Sequence, residues 1–283
     1  MSRMDNLQSA ALPETREALQ KELQAVEAWE RDQKDLWFWE KLGRLPFMLL
    51  DKVTPKFLQD KIGQAIDEVG SYVQTGGQYL ISERTVLQEL SSRSAQAAGV
   101  QRVDTVEEAS RLPLSVMDAG ADEFAGARAK LAAVQGATTG IGGIFTLAID
   151  IPALLGLSLK VLQEIALCYG YNPKDQKERM FVVLCLQFAS SDIVGKRAIL
   201  EKLASFDSEQ KQHQAFAQLQ GWREVVATYR DNFGWKKLFQ MVPIAGMLFG
   251  AFLNKGTLQD VAEAGKMLYR KRRIMARLNE ETA

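Results

Sequence analysis

Apolar residues recur along the chain at the spacing of an amphipathic helix. Leu19, Leu23 and Val26 are separated by four and three residues, which places them on one helical face. No stretch alternates apolar and polar residues as a half-buried strand does, and no fixed-period repeat is present. The pattern predicts an all-α chain with helices over about 14–41, 54–69, 82–93, 114–126, 152–169, 173–203 (broken near Asp192), 207–231 and 257–278, and a short helix opened by Asp104.

We expect these helices to form a single multi-helix bundle. Residues 1–13 are predicted to be a flexible tail, and residues 14–279 to be one helical domain. Two stretches inside that domain are uncharged, Leu131 to Ile149 and Leu238 to Asn254, and each has two glycines four residues apart. Glycines at this spacing let two helix backbones approach closely. The bundle is therefore expected to contain two glycine-rich apolar helical segments or hairpins.

The first uncharged stretch is just long enough to span a bilayer as one straight helix, at about 1.5 Å per residue. Its glycines and threonines lower its hydropathy, however, and Asp150 closes it. A buried hairpin, or one inserted shallowly into a membrane, is favoured over a full span. Whether the stretch faces protein or lipid stays open at this point.

Gly136, Gly140 and Gly142 have the spacing of the phosphate-binding loop in short-chain dehydrogenases. Their context disfavours an NAD-dependent enzyme of that kind. About 130 residues precede the loop, residues 160–169 look helical where a second strand belongs, and Pro152 would fall inside the following helix. No Tyr-x-x-x-Lys pair follows either. We expect the glycines to serve helix packing instead.

Asp150 is the most unusual carboxylate, because it follows an apolar run and precedes Ile151-Pro152. We predict that it caps a helix beginning at Pro152, since aspartate is a preferred cap and proline is favoured in the first turn. Two alternatives are an ion pair with Lys130 or Lys160, and an acid in an unrecognised pocket. The last would make the chain a soluble helical enzyme or ligand-binding protein.

The chain has 35 basic and 35 acidic residues, a balance that disfavours a nucleic-acid partner. Residues 262–279 nevertheless hold a basic surplus. Basic residues near apolar segments attract anionic lipids, whereas the alternative is that they are merely solvated. The candidate residues for contact with an anionic membrane surface are Lys236, Lys237, Arg270, Lys271, Arg272 and Arg273.

Residues typical of catalysis or cofactor binding are scarce. The only histidine, His213, lies in a polar stretch, and no nucleoside-triphosphate loop of the G-x-x-x-x-G-K-[ST] type occurs. Cys168 and Cys185 lie in apolar stretches and are expected to be buried thiols. We therefore expect no enzymatic activity, no cofactor and no metal. No signal-peptide pattern is present at the start, so a cytoplasmic location is expected.

The central phrase of the chain resembles the signature of the bacterial EcsC family. It consists of Gly136-Ala-Thr-Thr-Gly140-Ile-Gly142-Gly143, then Asp150-Ile151-Pro152, then Tyr169-Gly170-Tyr171, with Trp29-Glu30 and Pro243-Ile244 as outer landmarks. The resemblance covers about 29–273. It implies that Gly136, Gly140, Gly143, Asp150 and Pro152 are motif positions with a structural role.

The family is named for a protein that accompanies an ABC transporter, and it has no established biochemical activity. The resemblance therefore implies a non-enzymatic protein with a membrane-protein partner such as an ABC transporter. Together with the apolar and basic segments, it favours a cytoplasmic protein that docks on the inner face of the cell membrane. The competing hypothesis is that the two apolar segments pair with each other inside the bundle.

Overall fold

The computed structural model describes residues 14–35, 56–76, 81–98, 102–139, 144–191, 193–204, 206 and 257–280. All regular structure within these residues is helical, so the all-α prediction is confirmed. The helices are α1 (Arg16–Asp35), α2 (Lys56–Thr75), α3 (Glu83–Ala98), α4 (Val106–Ser110), α5 (Leu114–Thr139), α6 (Ile144–Cys168), α7 (Gln176–Ser190), α8 (Ile193–Ala204) and α9 (Thr257–Glu280). The predicted tail over 1–13, the predicted helix over 207–231 and the apolar stretch over 238–254 lie outside the described residues.

Several helix boundaries fall where the sequence places them. The predicted break near Asp192 separates α7 from α8. The short helix α4 begins one residue later than predicted, because Thr105 rather than Asp104 is its cap. The Thr105 hydroxyl accepts a hydrogen bond from the Glu108 amide at 3.1 Å, and Glu108 in turn accepts one from the Asp104 amide at 2.7 Å. Together these bonds satisfy two amides at the start of α4.

The two boundaries predicted around the glycine-rich stretch are wrong. The helix expected to end at Gly126 continues to Thr139, and the helix expected to begin at Pro152 begins at Ile144. An interior glycine destabilises a helix by only about 1 kcal/mol, and packing between two long helices contributes more than this. The uncharged stretch is therefore not one helix. It forms the end of a helical hairpin whose arms are α5 and α6.

Helix α6 lies at the centre of the described bundle and contacts α2, α3, α4, α5, α7 and α9. Its last turns and the residue that follows them, 161–169, are buried without exception. A helix that is apolar on all sides must be surrounded by other elements, and α6 meets that requirement. Cys168 and, in α7, Cys185 are fully buried as predicted, and burial raises the pKa of both thiols.

Glycine permits close packing at two positions that the sequence analysis did not single out. A Cβ atom at Gly265 of α9 would overlap the Leu162 side chain of α6, and one at Gly120 of α5 would crowd Leu90 of α3. The glycines that were singled out are Gly136, Gly140 and Gly143. Gly136 lies within α5, whereas Gly140 and Gly143 lie outside the described residues.

Gly170 ends α6 in a left-handed conformation, with φ of 73°. Its amide donates to the Leu167 carbonyl at 2.9 Å, and the Tyr171 amide donates to the Ala166 carbonyl at 2.9 Å. This pattern is the Schellman motif, in which a glycine satisfies the last carbonyls of a helix. A Cβ atom at Gly170 would also collide with the backbone of Ser110, so the same glycine lets α4 pack against the end of α6.

Candidate functional site

The basic stretch of α9 is the largest cluster of charged side chains in the described part of the chain. Helix α9 packs against α1, α5, α6 and α7, so its basic residues meet four different elements. Every one of the six basic residues makes an ion pair or a hydrogen bond with one of these elements or with the connections between them. The six are Lys266, Arg270, Lys271, Arg272, Arg273 and Arg277.

Three of the six pair with carboxylates on α1 and α5. Lys266 lies 2.7 Å from Asp122, and Lys271 lies 2.7 Å from Glu30, which is buried. Arg270 lies between two helices, 2.6 Å from Glu22 of α1 and 3.1 Å from Asp118 of α5. These pairs hold the first helix of the described chain against the last.

Asp118 is half-buried in this network. Besides Arg270, it accepts a hydrogen bond from the Tyr169 hydroxyl at 2.5 Å. Burial raises the pKa of the Tyr169 phenol well above its ordinary value, and the negative charge of Asp118 raises it further. Tyr169 therefore stays protonated and remains a hydrogen-bond donor.

Arg272 and Glu178 form the most buried pair. Two guanidinium nitrogens lie 2.7 and 2.8 Å from the two carboxylate oxygens, and the side chains are 9% and 6% exposed. The Arg272 guanidinium also lies 4.2 Å from the centroid of the Tyr171 ring and 4.7 Å from that of Phe181. A planar guanidinium satisfies both contacts at once, because its edge donates hydrogen bonds while its face stacks on a ring.

Arg273 and Arg277 donate hydrogen bonds to backbone carbonyls at the carboxyl ends of two helices. Arg273 donates to the carbonyls of Tyr169 and Gly170 at 2.9 and 3.1 Å, directly after α6. Arg277 donates to the carbonyls of Ser110 and Leu112 at 3.0 and 2.6 Å, at the end of α4, and it also pairs with Glu14. Positive charge is favourable at the carboxyl end of a helix, where backbone carbonyls have no partners within the helix.

The placement of α9 therefore gives its basic residues a role inside the protein. Contact with an anionic membrane contributes on the order of 1 kcal/mol per basic residue. Separating a buried ion pair leaves an uncompensated charge and costs about 3–5 kcal/mol. The lipid-contact hypothesis thus gains no support from the positions of Arg270, Lys271, Arg272 and Arg273. Lys236 and Lys237 lie outside the described residues.

Two parts of the family resemblance, Trp29-Glu30 and Tyr171, also meet at α9, whereas Pro243-Ile244 lies outside the described residues. The Trp29 indole donates to Glu263 at 2.7 Å and its ring lies 5.6 Å from that of Phe188. The neighbouring Glu30 pairs with Lys271, and Tyr171 stacks against Arg272. Positions far apart in the sequence thus meet at one helix, and their role there is to join α1, α7 and the end of α6.

The α5–α6 hairpin differs from α9 in having few charges towards its turn. Arg128 of α5 lies 2.5 Å from Glu164 of α6, and this hydrogen bond raises the pKa of Arg128. From residue 131 to residue 159 the only ionisable residue is Asp150. We call residues 131–139 of α5 and 144–159 of α6 the distal hairpin. Among its described side chains, Leu131 is exposed, whereas Leu155, Ser158 and Leu159 of α6 are still buried.

The core extends further towards the turn along α6 than along α5. Phe124 is the last fully buried side chain described in α5, and every described side chain from 125 to 132 is half-buried or exposed. In α6, Leu155 is the first described side chain that is fully buried. Leu131 is 47% exposed, and only Met275, at 42%, is another large apolar side chain so exposed among the described residues.

The motif positions in the hairpin correct two predictions. Asp150 and Pro152 lie inside α6, which begins at Ile144, so Asp150 does not cap a helix starting at Pro152. Residues 131–134 belong to α5, so no strand precedes the glycines as a dinucleotide loop requires. Pro152 lies in the interior of α6, so the expectation that a helix would not accept it was wrong, although the rejection of that loop was right. The side chain of Asp150 lies outside the described part of the structure.

Two kinds of functional centre are missing from the described ranges. No group of three or more histidine, cysteine, aspartate or glutamate side chains there is placed to hold a metal ion. None of the helices in those ranges combines the length and the apolar character that crossing a bilayer requires. His213 lies outside them.

Comparison with known proteins agrees with the resemblance noted in the sequence. The chain is 55% identical to the uncharacterized protein YdbA of Bacillus subtilis (strain 168) over 267 residues, 94% of this chain and 97% of that protein. It is 30% identical to Protein EcsC of the same organism over 204 residues, 71% of this chain and 84% of that protein. No solved structure matches. The model of the EcsC protein family matches residues 20–274. The chain therefore belongs to the EcsC protein family.

Proposed function

We propose that this protein has a non-enzymatic role at the inner face of the cell membrane, on which it docks through the distal hairpin. The observation that supports the proposal is the coincidence of two changes along α5 and α6. Charged residues stop at Lys130 on α5 and, apart from Asp150, at Lys160 on α6, and along α5 the described side chains leave the core in the same region. An apolar surface that extends beyond a core needs an apolar partner.

The dimensions of the distal hairpin suit shallow insertion. Residues 131–139 of α5 extend about 13 Å, and residues 144–154 of α6, before the buried Leu155, extend about 16 Å, at 1.5 Å per residue. Interfacial helices bury their apolar face to a depth of about 5–10 Å. Asp150 limits the depth, because a carboxylate in the hydrocarbon region is costly. The hairpin would therefore lie in the headgroup region and upper acyl chains.

A docked protein would meet other proteins at the membrane. The family resemblance implies an ABC transporter as one such partner, and we propose an accessory role beside a membrane complex of that kind. The ion-paired face of α9 is not available for this contact, because its charges are matched within the chain. We propose the distal hairpin as the surface for this contact.

Flotation of the purified full-length chain with vesicles tests the docking. We expect the chain to float with vesicles that contain phosphatidylcholine and phosphatidylglycerol. Leu131→Asp should abolish flotation, because a carboxylate would enter the contact. Met275→Asp is the matched control, since it places the same charge at the other exposed apolar side chain, and it should float like the wild type.

Two results would reject the proposal. The first is a wild-type chain that stays at the bottom of the gradient with every vesicle. The second is equal flotation of the two variants, which would mean that the distal hairpin is not the contact. If the hairpin is instead covered by residues 238–254 of its own chain, Leu131→Asp should lower the melting temperature of a protein that never floats.

A further inference from the structure

The side chain of Glu14 is bound by other parts of the chain in the way that a ligand is bound. Glu14 lies before the first helix, since Thr15 caps α1 and the helix begins at Arg16. Its carboxylate reaches Leu114 at the start of α5 and Arg277 near the end of α9, which are 100 and 263 residues away. We infer that the start of α5 and Arg277 form a preorganised carboxylate site, in which Glu14 is a tethered and replaceable ligand.

The first half of the site is the backbone at the start of α5. The first amides of a helix have no acceptor within the helix, and they carry a partial positive charge. The Leu114 amide donates to one Glu14 oxygen at 2.5 Å. The Pro113 carbonyl accepts only from the later amides of Val116 and Met117, at 2.9 and 3.1 Å. The carboxylate therefore supplies the acceptor that the first residue of α5 needs.

The second half of the site is the Arg277 guanidinium, which pairs with the other Glu14 oxygen. Arg277 is 1% exposed, and Glu14 is the only carboxylate paired with it in the described ranges. Its Nη2 group donates to the carbonyls of Ser110 and Leu112 at 3.0 and 2.6 Å. Because these two bonds do not involve Glu14, they hold the guanidinium in position when the carboxylate leaves.

The charge of Arg277 makes an anion necessary at this place. Burial lowers the pKa of Arg277, and the negative charge of Glu14 counteracts this shift. An empty site would leave a buried charge without compensation, which is strongly unfavourable. The Nε atom of the same guanidinium is buried and has no hydrogen-bond partner in the described part of the chain, so Glu14 does not exhaust the donors of Arg277.

The ligand class that fits the two halves is a carboxylate. One oxygen is bound by a backbone amide and the other by a guanidinium, so two donors meet the two oxygens of one planar group. A ligand attached to the same chain acts at an effective concentration that is millimolar or higher, so Glu14 excludes dilute free carboxylates from the wild-type site. The carboxylate of another molecule enters when Glu14 is shortened, or when its own further contacts outweigh the tether.

Chemical rescue of the full-length chain by acetate tests the inference. Glu14→Ala should lower the melting temperature, and replacing sodium chloride by sodium acetate at constant ionic strength and neutral pH should restore a few degrees of it in a saturable way. The nuclear magnetic resonance signal of the Leu114 amide should shift in the variant and return towards its wild-type position with acetate.

Glu22→Ala is the matched control. It removes another carboxylate of α1 from another arginine of α9, but that arginine, Arg270, keeps Asp118 as a partner. No buried charge is left without compensation there. Acetate should therefore stabilise Glu22→Ala no more than chloride does.

The outcomes are independent of the proposed function, since neither variant changes the distal hairpin. Rescue of Glu14→Ala alone supports the carboxylate site. Equal responses of both variants would mean that acetate acts as a general solute, and no response of Glu14→Ala would mean that the site does not persist without Glu14. Either result overturns the inference. If Glu14→Ala does not fold in chloride, refolding in acetate becomes the readout, and failure to refold in both salts rejects the site.

Discussion

Helix α9 and the distal hairpin show opposite relations between charge and position. Helix α9 is rich in basic residues, yet these side chains turn inwards and pair with four other elements. The distal hairpin contains one ionisable residue in 131–159, yet its α5 arm is exposed at Leu131. Charge density along a sequence therefore does not identify the surface of this protein. What matters is whether each charge has a partner elsewhere in the chain.

The largest expected effect concerns the buried pair of α9. Glu178→Gln would leave Arg272 without its counter-charge in a nearly dry site, and we expect a loss of about 3–5 kcal/mol in the free energy of unfolding. Glu123→Gln is the matched control, because Glu123 is 59% exposed in its pair with Arg93. Exposed pairs contribute about 0–1 kcal/mol. Urea unfolding of both variants measures the difference. Equal losses of unfolding free energy would show that the buried and the exposed ion pair contribute equally.

Two glycines allow the packing of α9 to be compared with that of α5, the first arm of the hairpin. Gly265→Ala should destabilise by about 1–3 kcal/mol, because the added methyl group would overlap Leu162 where α9 crosses α6. Gly126→Ala should instead stabilise by about 0.5–1 kcal/mol, since nothing lies within 4 Å of the new atom and alanine favours the helix. Melting temperatures that shift in the same direction would contradict the assignment of Gly126 to an open face.

The smallest expected effect is a loss of stability at alkaline pH. Burial raises the pKa of the Tyr169 and Tyr269 phenols well above their value near 10 in the unfolded chain. A group whose folded pKa is raised contributes its full stability below the unfolded pKa and loses it as pH rises. The unfolded phenol ionises first, so each tyrosine should lower the free energy of unfolding by about 0.8 kcal/mol between about pH 8 and pH 10.5.

Tyr269→Phe isolates that contribution. The Tyr269 hydroxyl is buried and has no hydrogen-bond partner among the described residues, so its removal should not destabilise the protein at pH 8. The variant should then lose less stability than the wild type on going to high pH. Tyr169→Phe should differ, because it removes the hydrogen bond to Asp118 and destabilises at pH 8 as well. Parallel pH profiles for wild type and Tyr269→Phe would refute the assignment.

Local patterns in the sequence predicted local structure well. Spacings such as that of Leu19, Leu23 and Val26 identified helices, and the break near Asp192 was found because short-range signals suffice for it. The continuous helices of the hairpin were not predicted. Gly126 and Pro152 are typical of helix boundaries, but packing between the helices overrides this local preference. An apolar hairpin was still among the expected forms of the uncharged stretch.

The partners of α9 were not predictable from spacing. Arg272 and Glu178 are separated by 94 residues, and Arg270 and Glu22 by 248, so no local pattern connects them. The close approach at Gly265 likewise depends on a neighbour from another helix. The basic surplus of this helix was visible in the sequence, and it indicated that the positive charges needed partners. It did not indicate whether lipid, solvent or other parts of the chain would supply it.

The pairing of α1 with α9 has a consequence for how the chain folds during synthesis. The ion pairs Glu22–Arg270 and Glu30–Lys271 and the bond from Trp29 to Glu263 join residues 234–248 positions apart. Such contacts form late, because a long chain must close before they contribute. The ribosome releases α1 among the first described elements and α9 last. The carboxylates of α1 therefore stay hydrated until the residues of α9 have been made, and these contacts can form only then.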